Sequence, residues 1–293
     1  MKGDRVNLVN GAMPADYHCR CEYCEQYIGE LRPQDGSYYS RLERRKYYDP
    51  SESGEGGHIA KTPLHIARWA VQRYTKPGDW VLDPTIGAGT TAVEAITQGR
   101  NAAGMEIQYE AVLRANISKN VQDGARAEVR IGDARSISAF LDERLPGTRF
   151  ALVVSNPPYS GDESMPSPSK AGRGKEHRDE EVAFFYQDGL PNLAFLKEDV
   201  AYWSALAGIY RDCASRLAPG GRFVVGVKDM MRSKRPFLLH KLICDLLCSG
   251  VGLQFEGTAL LRHYPGTLFM NAYEKMHGAK PPLYQTISVF QRE

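Results

Sequence analysis

The chain has 293 residues, of which 42% are hydrophobic and 25% are charged, enough for the full core of one domain and ordinary for a soluble protein. No apolar run approaches the roughly 18 to 20 residues of a membrane span, and the first residues lead into no signal-peptide core, so we expect a cytoplasmic protein. The net charge of +2 argues neither for nor against a nucleic-acid partner.

The first 57 residues show no clear hydrophobic period and end in a Gly/Ser/Glu-rich stretch over 51–57. This change of composition predicts an N-terminal extension over 1–57, with a metal-binding or recognition role, and a main domain over 58–293.

The extension contains four residues that can bind a soft metal ion within the seven positions 18–24, namely His18, Cys19, Cys21 and Cys24. Cys21 and Cys24 have the two-residue spacing of a zinc knuckle, and Cys19 or His18 could add a third ligand. A closed zinc site usually needs a second pair, and the sequence has no other Cys-x-x-Cys. The pattern therefore leaves two interpretations open: a structural zinc or other metal site, or plain buried or surface thiols.

A glycine loop follows the first predicted strand of the main domain, which ends at Asp83. Gly87 and Gly89 let the main chain approach a ligand without interference from a Cβ atom, and Thr90 or Thr91 can cap the next helix. The loop lacks the Gly-Lys-Ser/Thr ending of a phosphate cradle. The carboxylate at the strand tip favours a cationic, amino-acid-like ligand over a pyrophosphate.

Two further predicted strands also end in carboxylates. Glu106 lies about twenty residues beyond the glycine loop, where a ribose hydroxyl pair is usually held. Asp133 ends the next strand and is placed to accept a hydrogen bond from an adenine amino group. We expect both residues to share one carboxyl edge of a parallel sheet with Asp83 and Asn156.

The residues after the apolar run 150–154 are Ser, Asn, Pro, Pro and Tyr. Two consecutive prolines stop a strand and fix the backbone, so the amide of Asn156 and the carbonyls beside it point in a fixed direction, and the ring of Tyr159 follows. Such a corner can hold a planar amino group and stack on its ring. The alternative interpretation is a strand that simply ends in a turn.

The remaining elements complete an alternation of strand and helix, which is typical of doubly wound α/β folds. A helix is predicted over 64–74, and a turn and strand over 217–229. Segments 250–261 and 283–291 are predicted to form a closing antiparallel pair. The long polar insertion over 160–200 is predicted to be a lid or recognition loop.

Three groups of basic residues suit phosphate contacts, and the first of them is interleaved with tyrosines that suit base stacking. The alternative is an ordinary solvated surface. The groups are Arg41, Arg44, Arg45 and Lys46 beside Tyr38, Tyr39, Tyr47 and Tyr48; Lys170, Arg173, Lys175 and Arg178; and Arg232, Lys234 and Arg235.

Together these motifs resemble the S-adenosylmethionine-dependent DNA amino-methyltransferase family, whose members modify adenine N6 or cytosine N4. The resemblance is sharp over residues 58–160 and loose elsewhere. It implies a doubly wound, mostly parallel seven-stranded α/β sheet of the Rossmann-like class I methyltransferase type. It also implies S-adenosylmethionine as cofactor, double-stranded DNA as substrate, and a cognate restriction nuclease as a candidate partner.

The resemblance assigns roles to particular residues. The catalytic set is Asn156, Pro157, Pro158 and Tyr159. The cofactor-binding set is Lys61, Thr62, Pro63, Asp83, Pro84, Gly87, Gly89, Thr90, Thr91, Glu106, Asp133 and Asn156. In the implied mechanism the Asn156 side-chain oxygen and the Pro157 carbonyl accept the hydrogens of an exocyclic amine, and Tyr159 stacks on a base that has left the duplex.

The acceptor stays open at this stage. Ser155 at the first position of the catalytic motif is seen more with cytosine, but that rule is loose, so the methylated base is undecided. The same motif is equally similar to enzymes that methylate guanine N2 in structured RNA or a glutamine side-chain amide in proteins. A further alternative is a nucleic-acid-binding module without catalytic activity.

Overall fold

A computed structural model of the chain describes residues 6–32, 48, 62–121, 124–158, 193, 196, 200–232, 235–263, 270–271, 273–275 and 278–293. Its helices are α1 (Glu22–Glu25), α2 (Leu64–Tyr74), α3 (Thr90–Ile96), α4 (Glu110–Asn120), α5 (Ile137–Arg144), α6 (Val200–Ser215) and α7 (Leu239–Asp245). A 3-10 turn precedes α5 and a π-helical segment follows α7. Within these residues no helix is both long and apolar enough to cross a bilayer.

The strands form one large sheet and a small hairpin. The sheet strands are β1 (Asn7–Val9), β2 (Tyr27–Arg32), β3 (Trp80–Asp83), β4 (Asn101–Glu106), β5 (Ala127–Ile131), β6 (Phe150–Ser155), β7 (Leu217–Lys228), β10 (Gln254–Arg262) and β11 (Tyr284–Gln291). The hairpin contains β8 (Met230–Arg232) and β9 (Arg235–Phe237). The order in the sheet is β1-β2-β10-β11-β7-β6-β3-β4-β5.

The strand directions confirm the predicted mostly parallel α/β sheet. Strands β7, β6, β3, β4 and β5 run parallel to one another, whereas β11 is antiparallel to both β7 and β10. The predicted closing antiparallel pair is thus confirmed. Apolar residues of α5, α6 and α7 form a core on one face of the sheet, and those of α2, α3 and α4 form a second core on the other face. This arrangement is doubly wound.

The expected strand count of seven was wrong, because the described part of the sheet has nine strands. Both additional strands come from the segment predicted to be an extension: β1 pairs with β2, and β2 lies parallel to β10. Alternating burial along β2 explains why it pairs, since Leu31 packs into a core. The boundary at residue 57 lies outside the described residues and stays a prediction, as does the role of the insertion, nearly all of which lies outside them.

Close packing of the sheet against the glycine loop depends on Gly104 in β4. A Cβ atom at this position would overlap the Asp83 carbonyl oxygen and would lie 2.8 Å from Ile86 Cδ1. Any larger residue would therefore push the loop away from the strand edge.

A buried ion pair joins the two helices that pack beside this loop. Arg68 of α2 donates from Nε to Glu94 Oε2 at 2.8 Å and from Nη2 to Oε1 at 3.1 Å. The two side chains are 9% and 2% exposed. Two buried charges are tolerated here because the geometry is bidentate. Loss of one partner would leave the other charge buried without its counter-charge.

We expect Glu94→Ala to lower the free energy of unfolding by about 3 to 5 kcal/mol, the usual cost of stranding one member of a buried pair. Urea denaturation monitored by circular dichroism would measure this change. The matched control is Glu110→Ala, which removes the exposed pair with Arg114 in α4 and should cost no more than about 0.5 kcal/mol. Equal effects of the two substitutions would contradict the interpretation.

Candidate active site

The carboxyl ends of the parallel strands meet at one edge of the sheet. Asp83 at the end of β3 is in register with Gly104 of β4, and Glu106 at the end of β4 is in register with Ile131 of β5. On the other side of β3, Leu82 is in register with Val153 of β6. Adjacent strands lie about 4.8 Å apart, so the strand tips form a continuous row. The structure therefore brings the predicted acidic residues and the predicted catalytic corner to one edge.

Asp83 organises the loop that follows it. Its Oδ2 accepts a hydrogen bond from Thr91 Oγ1 at 2.6 Å and its Oδ1 accepts one from the backbone N–H of Thr85 at 3.1 Å. Burial raises the pKa of Asp83 to about 7, and the nearby charge of Glu106 adds to this shift. The loop thus closes on a carboxyl group that titrates near neutral pH.

The predicted capping role of the threonines was wrong. The residue at the N-cap of α3 is Gly89, in a left-handed conformation with φ of 87°. Glycine has no side chain, so no side chain caps this helix. A Cβ atom on Gly89 would lie 2.8 Å from Leu113 Cδ1, so the turn requires glycine both for its conformation and for space. Thr90 and Thr91 lie inside the helix, where the Thr91 hydroxyl serves Asp83 instead.

Glu106 is also buried, and its Oε1 accepts from the backbone N–H groups of Gln108 at 2.8 Å and Tyr109 at 3.1 Å. Burial raises the pKa of Glu106 above its ordinary value, although these N–H donors oppose the shift. The carboxylate is held rigidly at the tip of β4. This geometry suits the predicted acceptor for a pair of ribose hydroxyls.

Asp133 follows β5 and is bound to a neighbouring arginine. Its Oδ1 accepts from the backbone N–H of Arg135 at 2.9 Å, and its Oδ2 accepts from Arg135 Nε at 2.8 Å and also from Arg135 Nη2. A carboxylate has about four acceptor positions, so these contacts leave capacity for an adenine amino group. The predicted role of Asp133 stays a prediction.

The Asn-Pro-Pro corner is supported by two side chains that are distant in sequence. Gln285 of β11 donates from Nε2 to Asn156 Oδ1 at 3.1 Å. Tyr202 of α6 donates from its hydroxyl to the main-chain oxygen of Pro158 at 2.9 Å. The corner is thereby fixed at both ends, which a simple turn at the end of a strand does not require.

Neither supporting contact was predicted from sequence. Gln285 lies near the start of β11, and Tyr202 lies near the start of α6. No local pattern identifies either residue, because each contact depends on how β11 and α6 pack beside the end of β6. Polar and apolar residues are mixed along β11, so its sequence contains no signal that singles out Gln285.

The remaining predicted site residues are placed as follows. Thr62 and Pro63 immediately precede α2, and Pro63 is buried. Pro84 is buried in the loop after β3 and Gly87 has a positive φ of 56°. Pro157 is buried beside the half-buried Asn156. Two predicted residues, Lys61 and Tyr159, lie outside the described residues.

The structure also brings together the three predicted metal ligands Cys19, Cys21 and Cys24, and it adds His240 of α7 to them. His18, the alternative third ligand, instead bonds through Nε2 to Asp229 Oδ2 at 2.9 Å. Of the two alternatives for the third ligand, the structure thus groups Cys19 with Cys21 and Cys24.

The aromatic and basic groups are described only in part. Tyr48 is 2% exposed and its carbonyl accepts from Lys119 Nζ at 2.9 Å, so the prediction that it stacks on bases was wrong. Arg235 in β9 is exposed. The other members of the first two groups, and Lys234, lie outside the described residues.

Comparison with known proteins agrees with this geometry. Residues 23–117, about a third of the chain, match the model of a DNA methylase family, N6_N4_Mtase. This segment is thus similar to that DNA methylase family. The match includes the glycine loop and Glu106 but ends before the Asn-Pro-Pro corner.

Three relatives illustrate the similarity. Type II methyltransferase M.BglI of Bacillus subtilis is 38% identical over 33% of this chain and 28% of its own length. Type II methyltransferase M.Cfr9I of Citrobacter freundii is 40% identical over 38% of this chain and 42% of its own length. The tRNA (guanine(10)-N2)-dimethyltransferase of Pyrococcus abyssi is 31% identical over 36% and 30%. The chain therefore matches less than half the length of each relative.

Among solved structures, TrmN from Thermus thermophilus has a TM-score of 0.47 at 14% sequence identity, over 83% of this chain and 53% of that one. The fold assignment given above rests on the strand order and directions of this chain alone.

The titration of Asp83 leads to a testable pH dependence of stability. With a folded pKa of about 7 against an ordinary 3.8, the folded protein keeps a proton between about pH 4 and 7 that the unfolded chain has released. Unfolding then releases this proton, so the free energy of unfolding falls as the pH rises through that window. The contribution is up to about 4 kcal/mol for a shift of about three units.

We expect the Asp83→Asn variant to lose this part of the slope. From pH 4 to pH 7 the free energy of unfolding of the wild type should fall relative to that of the variant, as measured by denaturant titration at several pH values. A difference that stays constant with pH would contradict the assigned titration.

Proposed function

We propose that the protein transfers a methyl group from S-adenosylmethionine to an exocyclic amino group of a DNA base, adenine N6 or cytosine N4. The observation that carries the proposal is the rigid Asn-Pro-Pro corner, bound by Gln285 and Tyr202, next to the acid-tipped glycine loop at the same sheet edge. The family of the matched segment supports it.

The residues at the edge fit this cofactor. Gly87 and Gly89 have positive φ angles and bring bare backbone to the edge, which suits close approach of a nucleoside. Glu106 is held as an acceptor for the ribose hydroxyls, and Asp83 supplies negative charge for the cationic amino-acid end. When bound, S-adenosylmethionine supplies a methyl group activated by a positively charged sulfur.

The corner has the acceptors that an aromatic amine needs. The lone pair of such an amine is delocalised into the ring, which makes it a poor nucleophile. Asn156 Oδ1 and the Pro157 carbonyl accept its two hydrogens, and this favours a tetrahedral nitrogen with a localised lone pair.

Gln285 holds the Asn156 amide in one orientation. Its Nε2 donates to Oδ1, so the oxygen, with its second lone pair, stays available as an acceptor. Tyr202 holds the carbonyl of Pro158 and so limits rotation of the diproline segment. Because a paired base hides its amino group, the target base must leave the helix, and Tyr159 is proposed to stack on it.

Double-stranded DNA is the proposed substrate, since the matched family model is described as a DNA methylase. A cognate restriction nuclease and a location in the cytoplasm are parts of the same proposal.

A second candidate is methylation of guanine N2 in structured RNA. The match to the tRNA (guanine(10)-N2)-dimethyltransferase of Pyrococcus abyssi favours it. The corner geometry suits both acceptors, because each presents a planar amino group.

The deciding experiment incubates the protein with methyl-labelled S-adenosylmethionine and, separately, unmethylated DNA, unmodified tRNA and a protein extract. Digestion and mass spectrometry then identify the modified nucleoside or residue. We expect N6-methyladenine or N4-methylcytosine in DNA. Label found only in tRNA would favour the second candidate, label only in protein would favour a glutamine acceptor, and the absence of both label and cofactor binding would indicate a non-catalytic binding module.

The Asn156→Ala variant tests the corner itself. Loss of one acceptor should lower kcat by about 10² to 10³ fold while calorimetric affinity for S-adenosylmethionine stays close to that of wild type. The matched control is Asn101→Ala, at the opposite, amino end of β4, which should keep kcat near the wild-type value. An unchanged kcat in Asn156→Ala would overturn the assignment of the corner.

A further inference from the structure

Three thiols and one imidazole form a compact group where the segment before β2 meets α7. We call Cys19, Cys21, Cys24 and His240 the Cys3His cluster. Their ligand atoms all lie within 4.8 Å of one another. Three of the four residues are buried and Cys21 is half-buried.

The separations within the cluster match the edges of a zinc tetrahedron. Zn–S bonds of about 2.3 Å and Zn–N bonds of about 2.0 to 2.1 Å give S–S edges of about 3.8 Å and S–N edges of about 3.6 Å in a regular tetrahedron. The sulfurs of Cys21 and Cys24 are 3.7 Å apart, and His240 Nε2 lies 3.5 Å from the first and 3.2 Å from the second. These three atoms are thus spaced as ligands of one ion, and the Cys19 sulfur lies close enough to complete the set.

The imidazole of His240 is oriented for this purpose. Its Nδ1 bonds to Asp229 Oδ2 at 2.6 Å, and its backbone N–H donates to Asp229 Oδ1 at 3.1 Å. Nε2 therefore faces the thiols. A carboxylate behind a metal-binding histidine is the usual arrangement, because it fixes the ring and its tautomer.

A disulfide or simple core packing would account for less of this geometry. Cys21 and Cys24 are not joined, since a disulfide needs sulfurs about 2.05 Å apart. Core packing explains Cys213 and Cys244, which are completely buried among apolar residues. It does not explain why a buried histidine, itself held by a buried aspartate, points its second nitrogen at a group of thiols.

We propose that Cys19, Cys21, Cys24 and His240 bind one Zn²⁺ ion in a closed structural site. Four protein ligands leave no position for water or substrate, which is the arrangement of structural rather than catalytic zinc. The ion joins the segment before β2 to the start of α7, two parts of the chain more than 200 residues apart. This proposal does not depend on the proposed function.

The first test is metal content. Protein purified from cells grown with zinc, without chelator, should carry one zinc per chain by plasma mass spectrometry. Cys248→Ser, which changes a half-buried cysteine outside the cluster, should keep that zinc, whereas Cys21→Ser and His240→Ala should lose most of it. His240→Cys offers a fourth thiol and should restore bound zinc, which a purely packing role of His240 would not predict.

Cobalt provides a test on the unmodified protein and so does not depend on whether the variants fold. Zinc is removed with a chelator under reducing conditions and Co²⁺ is added. We expect intense thiolate-to-cobalt charge transfer and the visible bands of tetrahedral cobalt, saturating at one equivalent and displaced by zinc. A folded wild-type protein that contains no zinc and shows no such bands would overturn the proposal, and so would equal zinc content in wild type and Cys21→Ser.

Discussion

The shared register of the parallel strands is the constraint on which the site depends. It brings the carboxylates of Asp83 and Glu106 to one edge, where both are buried. A buried carboxylate is costly unless its oxygens are satisfied. The loop after each strand meets this need, through Thr85 and Thr91 for the first carboxylate and through backbone N–H groups for the second. The shape of the glycine loop therefore follows from the need to solvate these two groups.

The same constraint explains why burial does not exclude function here. With a pKa near 7, Asp83 carries its charge only part of the time at neutral pH, and a neighbouring cation shifts the balance toward the charged form. A cationic ligand at this edge thus gains from an acid that is nearly neutral in its absence. The protein interior therefore contains no permanently charged, unpaired carboxylate, and the protonation of Asp83 depends on the charge of the group that binds beside it.

Sequence patterns predicted the parts of this site that depend on local geometry. Local sequence predicts the glycines, the acids at strand ends and the diproline corner, because each of these features requires a particular residue type at a particular place in one element. Gln285 and His240 could not be predicted, because their roles arise when β11 and α7 pack against distant segments. The two additional strands were missed for a similar reason: β2 pairs with β10, more than 200 residues away, and its short amphipathic pattern gives no sign of that partner.

The Cys3His cluster and the Asn-Pro-Pro corner share one support. Tyr17 bonds through its hydroxyl to Cys24 Sγ at 3.4 Å and to Thr286 Oγ1 at 3.0 Å. Thr286 follows Gln285, the residue that bonds to Asn156.

On the neighbouring strand, Lys228 is in register with Gln285, and Asp229 comes next and holds His240. The end of β7 and the start of β11 are thus linked to the Cys3His cluster on one side, and β11 is bonded to the corner on the other. The length of a good hydrogen bond varies by only a few tenths of an ångström, so a displacement of this strand pair by that much would weaken the bond between Gln285 and Asn156. The position of the Asn156 amide is therefore tied to segments that, in sequence, lie at the two ends of the chain.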